Sequence, residues 1–171
     1  MRKPLALAWL PRVAVREMWH EAGRTFPLET GGILMGYWTR PLREVVVTVA
    51  IGPGPNAVHE RLSFAPDHEF QCAQIADTYR STNRTETYLG DWHAHPFGSG
   101  SLSRSDQNTL GRIARTRTAR LKHPLMLVLA GEPAGWEIAI WCYHSMAGLW
   151  GRAAKMDIKL YGYRLPHPGS G

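Results

Sequence analysis

Cysteine is scarce in this sequence, because Cys72 and Cys142 are the only two among 171 residues. They lie 70 positions apart and belong to no C-x-x-C pair, so neither a disulfide framework nor a thiolate zinc site can be built from them. Stabilising disulfides form in oxidising compartments, and a chain with two isolated thiols fits a reducing one. The expected location is therefore the cytoplasm.

Long apolar runs are also missing. The longest uncharged apolar runs, residues 5–10 and 125–130, hold six residues each, far short of the roughly 20 that a membrane-spanning helix needs. The chain starts M-R-K before an apolar run and so imitates a secretion signal, but the run is too short and Arg12 follows it without a small-residue cleavage site. We expect no membrane association, and a first β-strand instead of a leader peptide.

Internal repeats and low-complexity linkers are absent, and a chain of 171 residues has the usual size of one domain. Apolar residues make up 44% and charged residues 20%, enough for a buried core. We expect one domain over residues 1–165 and a flexible tail over residues 166–171. The net charge of +6 is compatible with an acidic partner, with nucleic acid or with solubility alone.

Hydrophobic periodicity and turn residues predict alternating strands and helices with three strands at the end. The final strands follow one another without helices between them, which favours a mixed α/β sandwich over a doubly wound parallel fold. The predicted helices span residues 13–23, 66–83 and 104–121. The predicted strands span residues 5–10, 33–38, 44–51, 87–94, 125–130, 136–143 and 154–161.

The pattern H-x-H-x7-S-x-x-D, formed by His93, His95, Ser103 and Asp106, carries the most chemistry. Two histidines two apart on a strand project from the same face and can share one ion. A carboxylate from the next helix would complete a three-ligand set that leaves the fourth position open. Taken singly, each histidine fits an ordinary surface or core residue and S-x-x-D fits a helix N-cap. An Asp106 that ligates metal is not expected to serve mainly as a helix-start acid.

These residues resemble the JAB/MPN metalloproteases, also called JAMM isopeptidases. The resemblance rests on H-A-H-P from His93, on Ser103 and Asp106, and on Glu29 in E-T-G-G-I-L-M-G. It implies a single-domain MPN-type mixed sheet flanked by helices, a cytidine-deaminase-like sandwich. It implies Zn²⁺ held by His93, His95 and Asp106, with Glu29 as general base and Ser103 as donor to the oxyanion.

The segment Y-L-G-D-W-H, which ends at His93, is most similar to the bacterial branch of that family. That branch includes isopeptidases of CBASS-type anti-phage operons, encoded beside conjugation enzymes and a cGAS/DncV-like nucleotidyltransferase. The resemblance implies hydrolysis of the bond after the C-terminal glycine or tail of a ubiquitin-like or conjugated protein. It also implies that the extended tail pairs with a strand near the zinc. Trp92 and Phe97 flank the ligands and are candidates for the tail groove, although aromatic residues beside a strand also fit the core.

Two alternatives stay open. A non-catalytic scaffold of the same fold would lack metal, and a RadC-like DNA-associated protein would fit the net charge. Only 28 residues precede Glu29, too few for the helical DNA-binding hairpins of RadC-like proteins, so nucleic acid is disfavoured as a partner. The basic run within residues 112–122 fits a solvated helix face better than a docking site. The remaining histidines have no ligand-like spacing: His20, His59, His68, His123 and His144.

Overall fold

The computed structural model describes residues 7–39, 44–146 and 149–162. Its helices are α1 (Arg12–Thr25), α2 (His68–Ser81) and α3 (Arg104–Arg115), with a short 3-10 helix at Arg117–Ala119. Its strands are β1 (Leu7–Pro11), β2 (Gly31–Trp38), β3 (Glu44–Ile51), β4 (Val58–His59), β5 (Phe64–Ala65), β6 (Thr87–Pro96), β7 (Leu125–Glu132), β8 (Gly135–Met146), β9 (Leu149–Lys155) and β10 (Asp157–Tyr161). The predicted tail, residues 166–171, lies outside the described residues, as do residues 5 and 6 of the predicted first strand.

Eight strands form one mixed sheet in the order β10-β1-β3-β2-β6-β7-β8-β9. The β10/β1, β1/β3 and β6/β7 pairs are parallel, and the other neighbours are antiparallel. β4 and β5 form a separate two-stranded hairpin between β3 and α2. The prediction of a mixed α/β fold, a mixed sheet flanked by helices, is confirmed.

The helices cover both faces of the sheet. Val15, Met18 and Ala22 of α1 belong to the largest core cluster, together with Leu127 of β7. On the other face, Leu110 of α3 packs with the β7 residues that alternate with Leu127, and α2 packs on β2 through Phe70 and Ile75. Because β7 is buried on both faces, its sequence is continuously apolar and does not alternate.

The last predicted strand, residues 154–161, is two strands separated by Met156. β9 pairs with β8 at one edge of the sheet, whereas β10 pairs with β1 at the other. A single intervening residue can connect opposite edges only if the sheet curls so that they approach each other. Met156 is buried in the core and its N–H donates to the Ile140 carbonyl, which anchors this crossing.

The third helix is shorter than predicted. It ends at Arg115, and Thr116 adopts an extended conformation before the 3-10 turn. Arg120 is left-handed with φ of 50°, and the chain then enters β7 at Leu125. Continuing the helix to Leu121 would add about 9 Å along its axis and carry the chain past the start of β7. The second helix begins at His68, two residues after the predicted Pro66, because the Asp67 side chain caps it by accepting from the Phe70 N–H.

The glycines at the start of β2 permit close contact with the neighbouring strands. A Cβ on Gly32 would overlap the Ile51 carbonyl oxygen, whereas a Cβ on Gly23 in α1 would meet nothing within 4 Å. We expect Gly32→Ala to lower the free energy of unfolding by about 2–3 kcal/mol, since the backbone carbonyl cannot move aside. The matched variant Gly23→Ala should raise it by about 0.5–1 kcal/mol. Urea unfolding of both variants tests this, and equal midpoints would contradict it.

Candidate metal centre

The two histidines of β6 lie on the face of the sheet that α3 covers. His93 and His95 point to the same side of the strand, with ring centroids 4.5 Å apart. The first turn of α3 brings Asp106 to them, so that Oδ1 lies 3.5 Å from His93 Nε2 and Oδ2 lies 3.6 Å from His95 Nε2. The donor atoms of the three residues all lie within 4.8 Å of one another. Donors bound to one tetrahedral ion at about 2.0–2.1 Å would be separated by about 3.4 Å, close to the two distances found here.

One ring nitrogen of this group of three residues is buried and has no hydrogen-bond partner, which indicates the kind of ligand that the group can bind. His93 Nε2 is buried and forms no hydrogen bond, although buried polar atoms in proteins are nearly always paired. Burial lowers the pKa of His93 to about 4, with Asp106 opposing the shift and His95 adding to it. His93 is therefore neutral at pH 7, so its contact with Asp106 is not an ion pair there. A neutral imidazole with a free lone pair is the form that binds a metal ion, and the donor set fits Zn²⁺.

His95 is oriented from its other ring nitrogen. Nδ1 lies 3.2 Å from the Ser99 carbonyl oxygen, and because a carbonyl only accepts, Nδ1 carries the proton. The Nε2 lone pair is then directed toward Asp106. Such an outer hydrogen bond is the usual way in which proteins fix the tautomer of a metal-binding histidine.

Asp106 is also the acid of the helix cap, contrary to the expected conflict between the two roles. Ser103 Oγ accepts from the Asp106 N–H at 3.1 Å, and Asp106 Oδ2 accepts from the Ser103 N–H at 2.6 Å. A carboxylate has two oxygens and about four lone-pair directions, so it can serve the cap and still face both imidazoles. The reciprocal cap fixes the carboxylate in the position that the donor group requires.

Glu29 is brought to this centre from a segment 64 residues earlier in the chain. It lies between α1 and β2, and the next residues lead directly to Gly31, which pairs with His93. Burial raises the pKa of the Glu29 carboxyl; the electrostatic interaction with His95 opposes the shift and that with Asp106 adds to it. Glu29 therefore stands within electrostatic reach of His95 and Asp106, and its pKa is shifted toward the neutral range in which a general base works best.

The two predicted groove residues differ in their placement. Trp92 is only 2% exposed and its Nε1 donates to the Ile51 carbonyl. It lies on the face of β6 opposite the two imidazoles and packs in the core, the placement that the sequence analysis left open beside the groove role. Phe97 is 68% exposed and packs edge-on against Phe26, which in turn contacts Trp136.

Several residues near the centre were not found by sequence reasoning. The half-buried Phe26 and the buried Trp136 form an aromatic cluster with the exposed Phe97. The His59 ring contacts the backbone of Glu29. Their separation in sequence from the H-x-H pattern leaves no spacing that could reveal them. Desolvation raises the pKa of the half-buried Asp91 to about 6, and the hydrogen bond from Tyr88 and the positive charge of Arg112 on α3 oppose the shift.

Comparison with known proteins agrees with the fold. Residues 11–144 match the family model of prokaryotic homologues of the JAB domain, a range that contains Glu29, both histidines, Ser103 and Asp106. The chain belongs to this bacterial JAB/MPN family. The family resemblance inferred from the sequence is confirmed.

Two curated relatives carry functional names. A Sinorhizobium fredii protein named probable metalloprotease y4qB is 40% identical over 136 residues, which cover 79% of this chain and 82% of the relative. A CD-NTase/cGAS isopeptidase of Enterobacter hormaechei is 28% identical over 108 residues, 63% of this chain and 58% of that protein.

A solved structure shares the architecture. The solution structure of a Desulfitobacterium hafniense protein superposes with a TM-score of 0.63 at 18% identity, covering 96% of this chain and 99% of the other. This similarity concerns the fold alone. Within the described ranges, none of the helices has the length and apolar character needed to cross a membrane.

Proposed function

We propose that this protein is a zinc-dependent isopeptidase or peptidase that hydrolyses the bond after the C-terminal glycine or tail of a ubiquitin-like or otherwise conjugated protein. The observation that carries the proposal is the buried His93 Nε2, which has no hydrogen-bond partner, within a group of three possible metal donors, two of which interact electrostatically with Glu29. The names of the two relatives, a metalloprotease and an isopeptidase, support the same class of reaction.

Each polar residue of the centre has a role in this proposal. His93, His95 and Asp106 would hold the ion, and a bound zinc supplies Lewis-acid activation of water and of the scissile carbonyl. Glu29 accepts the proton of the attacking water and delivers it to the leaving amine. Ser103 Oγ acts as an acceptor in the helix cap, so its hydroxyl proton is free to be donated to the developing oxyanion.

The substrate is proposed to approach along the exposed side of the metal centre. Phe97 presents an exposed ring there, two residues after His95, and its contact with Phe26 holds that ring in place. An extended tail could pair with a neighbouring strand through main-chain hydrogen bonds. By analogy with the CD-NTase/cGAS isopeptidase, the substrate in the cell would be a conjugated protein, including a nucleotidyltransferase, in a cytoplasmic anti-phage setting.

Chelation tests the proposal directly. The probe is a glycine-terminated tail peptide joined by an isopeptide bond to a lysine that carries a fluorophore, with a quencher on the tail. We expect hydrolysis by the zinc-loaded protein, loss of hydrolysis after dialysis against a chelator, and recovery on adding zinc. Circular dichroism of the metal-free protein checks that the fold persists. Hydrolysis that survives complete metal removal would contradict the proposal, and a zinc-loaded protein that leaves a panel of isopeptide and peptide conjugates intact would favour a non-catalytic scaffold.

A further inference from the structure

Glu29 belongs to no helix or strand, yet both of its backbone polar groups are paired with one element. Its N–H donates to the Glu60 carbonyl at 2.8 Å, and its carbonyl accepts from His59 Nδ1 at 2.9 Å. His59 and Glu60 lie in the β4–β5 hairpin, which is separate from the main sheet. We propose that His59 is a positioning residue that holds the backbone of Glu29 so that its carboxylate stays at the metal centre. The inference rests on the function proposed above for Glu29.

The protonation of the His59 ring follows from its partner. A carbonyl oxygen can only accept, so Nδ1 must carry a proton in this contact. The ring is held in place by its own hairpin, because His59 pairs with Phe64 across the two strands and the rings stack with centroids 5.7 Å apart. The Glu60 N–H donates to the Ser63 carbonyl and closes the turn. The donor is therefore preorganised before it meets Glu29.

The residues after Glu29 are held by a different element. The Thr30 carbonyl accepts from the Ala94 N–H of β6, and Gly31 pairs with His93. The sheet thus fixes the chain immediately after the base, while the hairpin supplies both hydrogen bonds at Glu29 itself. Because a glutamate side chain has three rotatable bonds, a small movement of its backbone is amplified at the carboxylate. Displacements of about 1 Å in catalytic groups can cost about 100-fold in rate.

Two substitutions separate hydrogen bonding from ring packing. His59→Phe keeps an aromatic ring for the stack with Phe64 but removes the donor, whereas His59→Asn keeps a donor and loses the stack. Ser63→Ala is the matched control within the hairpin, because its hydroxyl bonds the Glu60 side chain and does not touch Glu29. We expect His59→Phe to lower kcat by about 10- to 100-fold with little change in KM, His59→Asn to recover most of that loss, and Ser63→Ala to behave as the wild type. Zinc content should be the same in all four proteins.

A second readout does not depend on activity. Hydrogen exchange of the Glu29 amide, followed by NMR, reports how firmly its N–H stays paired with the hairpin. We expect exchange in His59→Phe to be about 10-fold faster than in the wild type. Exchange in His59→Asn should be slower than in His59→Phe. Wild-type rates of exchange and turnover in His59→Phe would overturn the inference. A loss in His59→Asn at least as large as that in His59→Phe would also overturn it, because the retained donor would then not be the feature that matters. An effect on KM alone would overturn it too, because it indicates substrate contact.

The two proposals can fail separately. If no protein in the series hydrolyses the isopeptide probe while amide exchange still follows the expected order, the proposed hydrolase function fails and the positioning of Glu29 by His59 stands. If the wild type is active and exchange is unchanged by His59→Phe, the hydrolase function stands and the positioning inference fails.

Discussion

Replacement of Glu29 by glutamine is expected to lower kcat by about 1,000-fold while the protein keeps its zinc. A positioned general base contributes about 10²–10⁴-fold to a rate, and glutamine has nearly the shape of glutamate but cannot accept the proton. The residues that could hold the metal are His93, His95 and Asp106, so their grouping does not depend on the Glu29 side chain. The measurement is steady-state hydrolysis of the isopeptide probe together with metal analysis of the same preparation.

The control for this experiment is Glu17→Gln, which neutralises an exposed glutamate on α1. It changes the net charge by the same amount as Glu29→Gln, so a purely electrostatic effect on substrate association would appear in both variants. We expect full activity from Glu17→Gln. Activity of Glu29→Gln within a few-fold of the wild type would show that another group takes the proton, and the assignment of the base would then be wrong.

Replacement of His95 by alanine is expected to abolish both zinc binding and hydrolysis. A tetrahedral catalytic zinc site uses three protein ligands, and loss of even an outer partner of a ligand weakens metal binding by about 10–100-fold. Removal of a ligand itself should exceed that range. Mass spectrometry of the metal content should give about one zinc ion per chain for the wild type and almost none for His95→Ala.

His20→Ala tests for adventitious binding of metal by a surface histidine. His20 is exposed on α1 and is not part of the donor group, so this variant should retain wild-type zinc and activity. Equal, low zinc in the wild type and in His95→Ala would mean that the histidine pair is structural in this protein. The non-catalytic scaffold would then be the better interpretation, even with the family membership established.

The local part of the metal centre could be predicted because it depends on short-range geometry. Side chains alternate along a strand, so His93 and His95 had to share a face of β6 wherever that strand lay in the sheet. The spacing from Ser103 to Asp106 is that of a capping box, which places the carboxylate at the start of a helix. The one error here concerned chemistry, because Asp106 serves the cap and faces the imidazoles with the same carboxylate.

Contacts between distant segments could not be predicted in this way. The pattern around the histidines contains no signal for Glu29, which was identified only through the family resemblance. Its place beside the centre comes from the pairing of β2 with β6. The split of the last strand likewise depends on the curl of the whole sheet, because residues on either side of Met156 find partners at opposite edges.

The amino-acid pattern alone therefore establishes a mixed α/β domain with two histidines and an aspartate in ligand-like spacing. The folded chain determines what covers each face of β6. Trp92 on one face is buried in the core, whereas the two imidazoles on the other face lie beside α3. It also brings the His59 ring to the backbone of Glu29, 30 residues away. The physical reason is the distance along the chain over which each effect acts. Strand and helix periodicities extend over a few residues, whereas the position of a catalytic base depends on which strands pair.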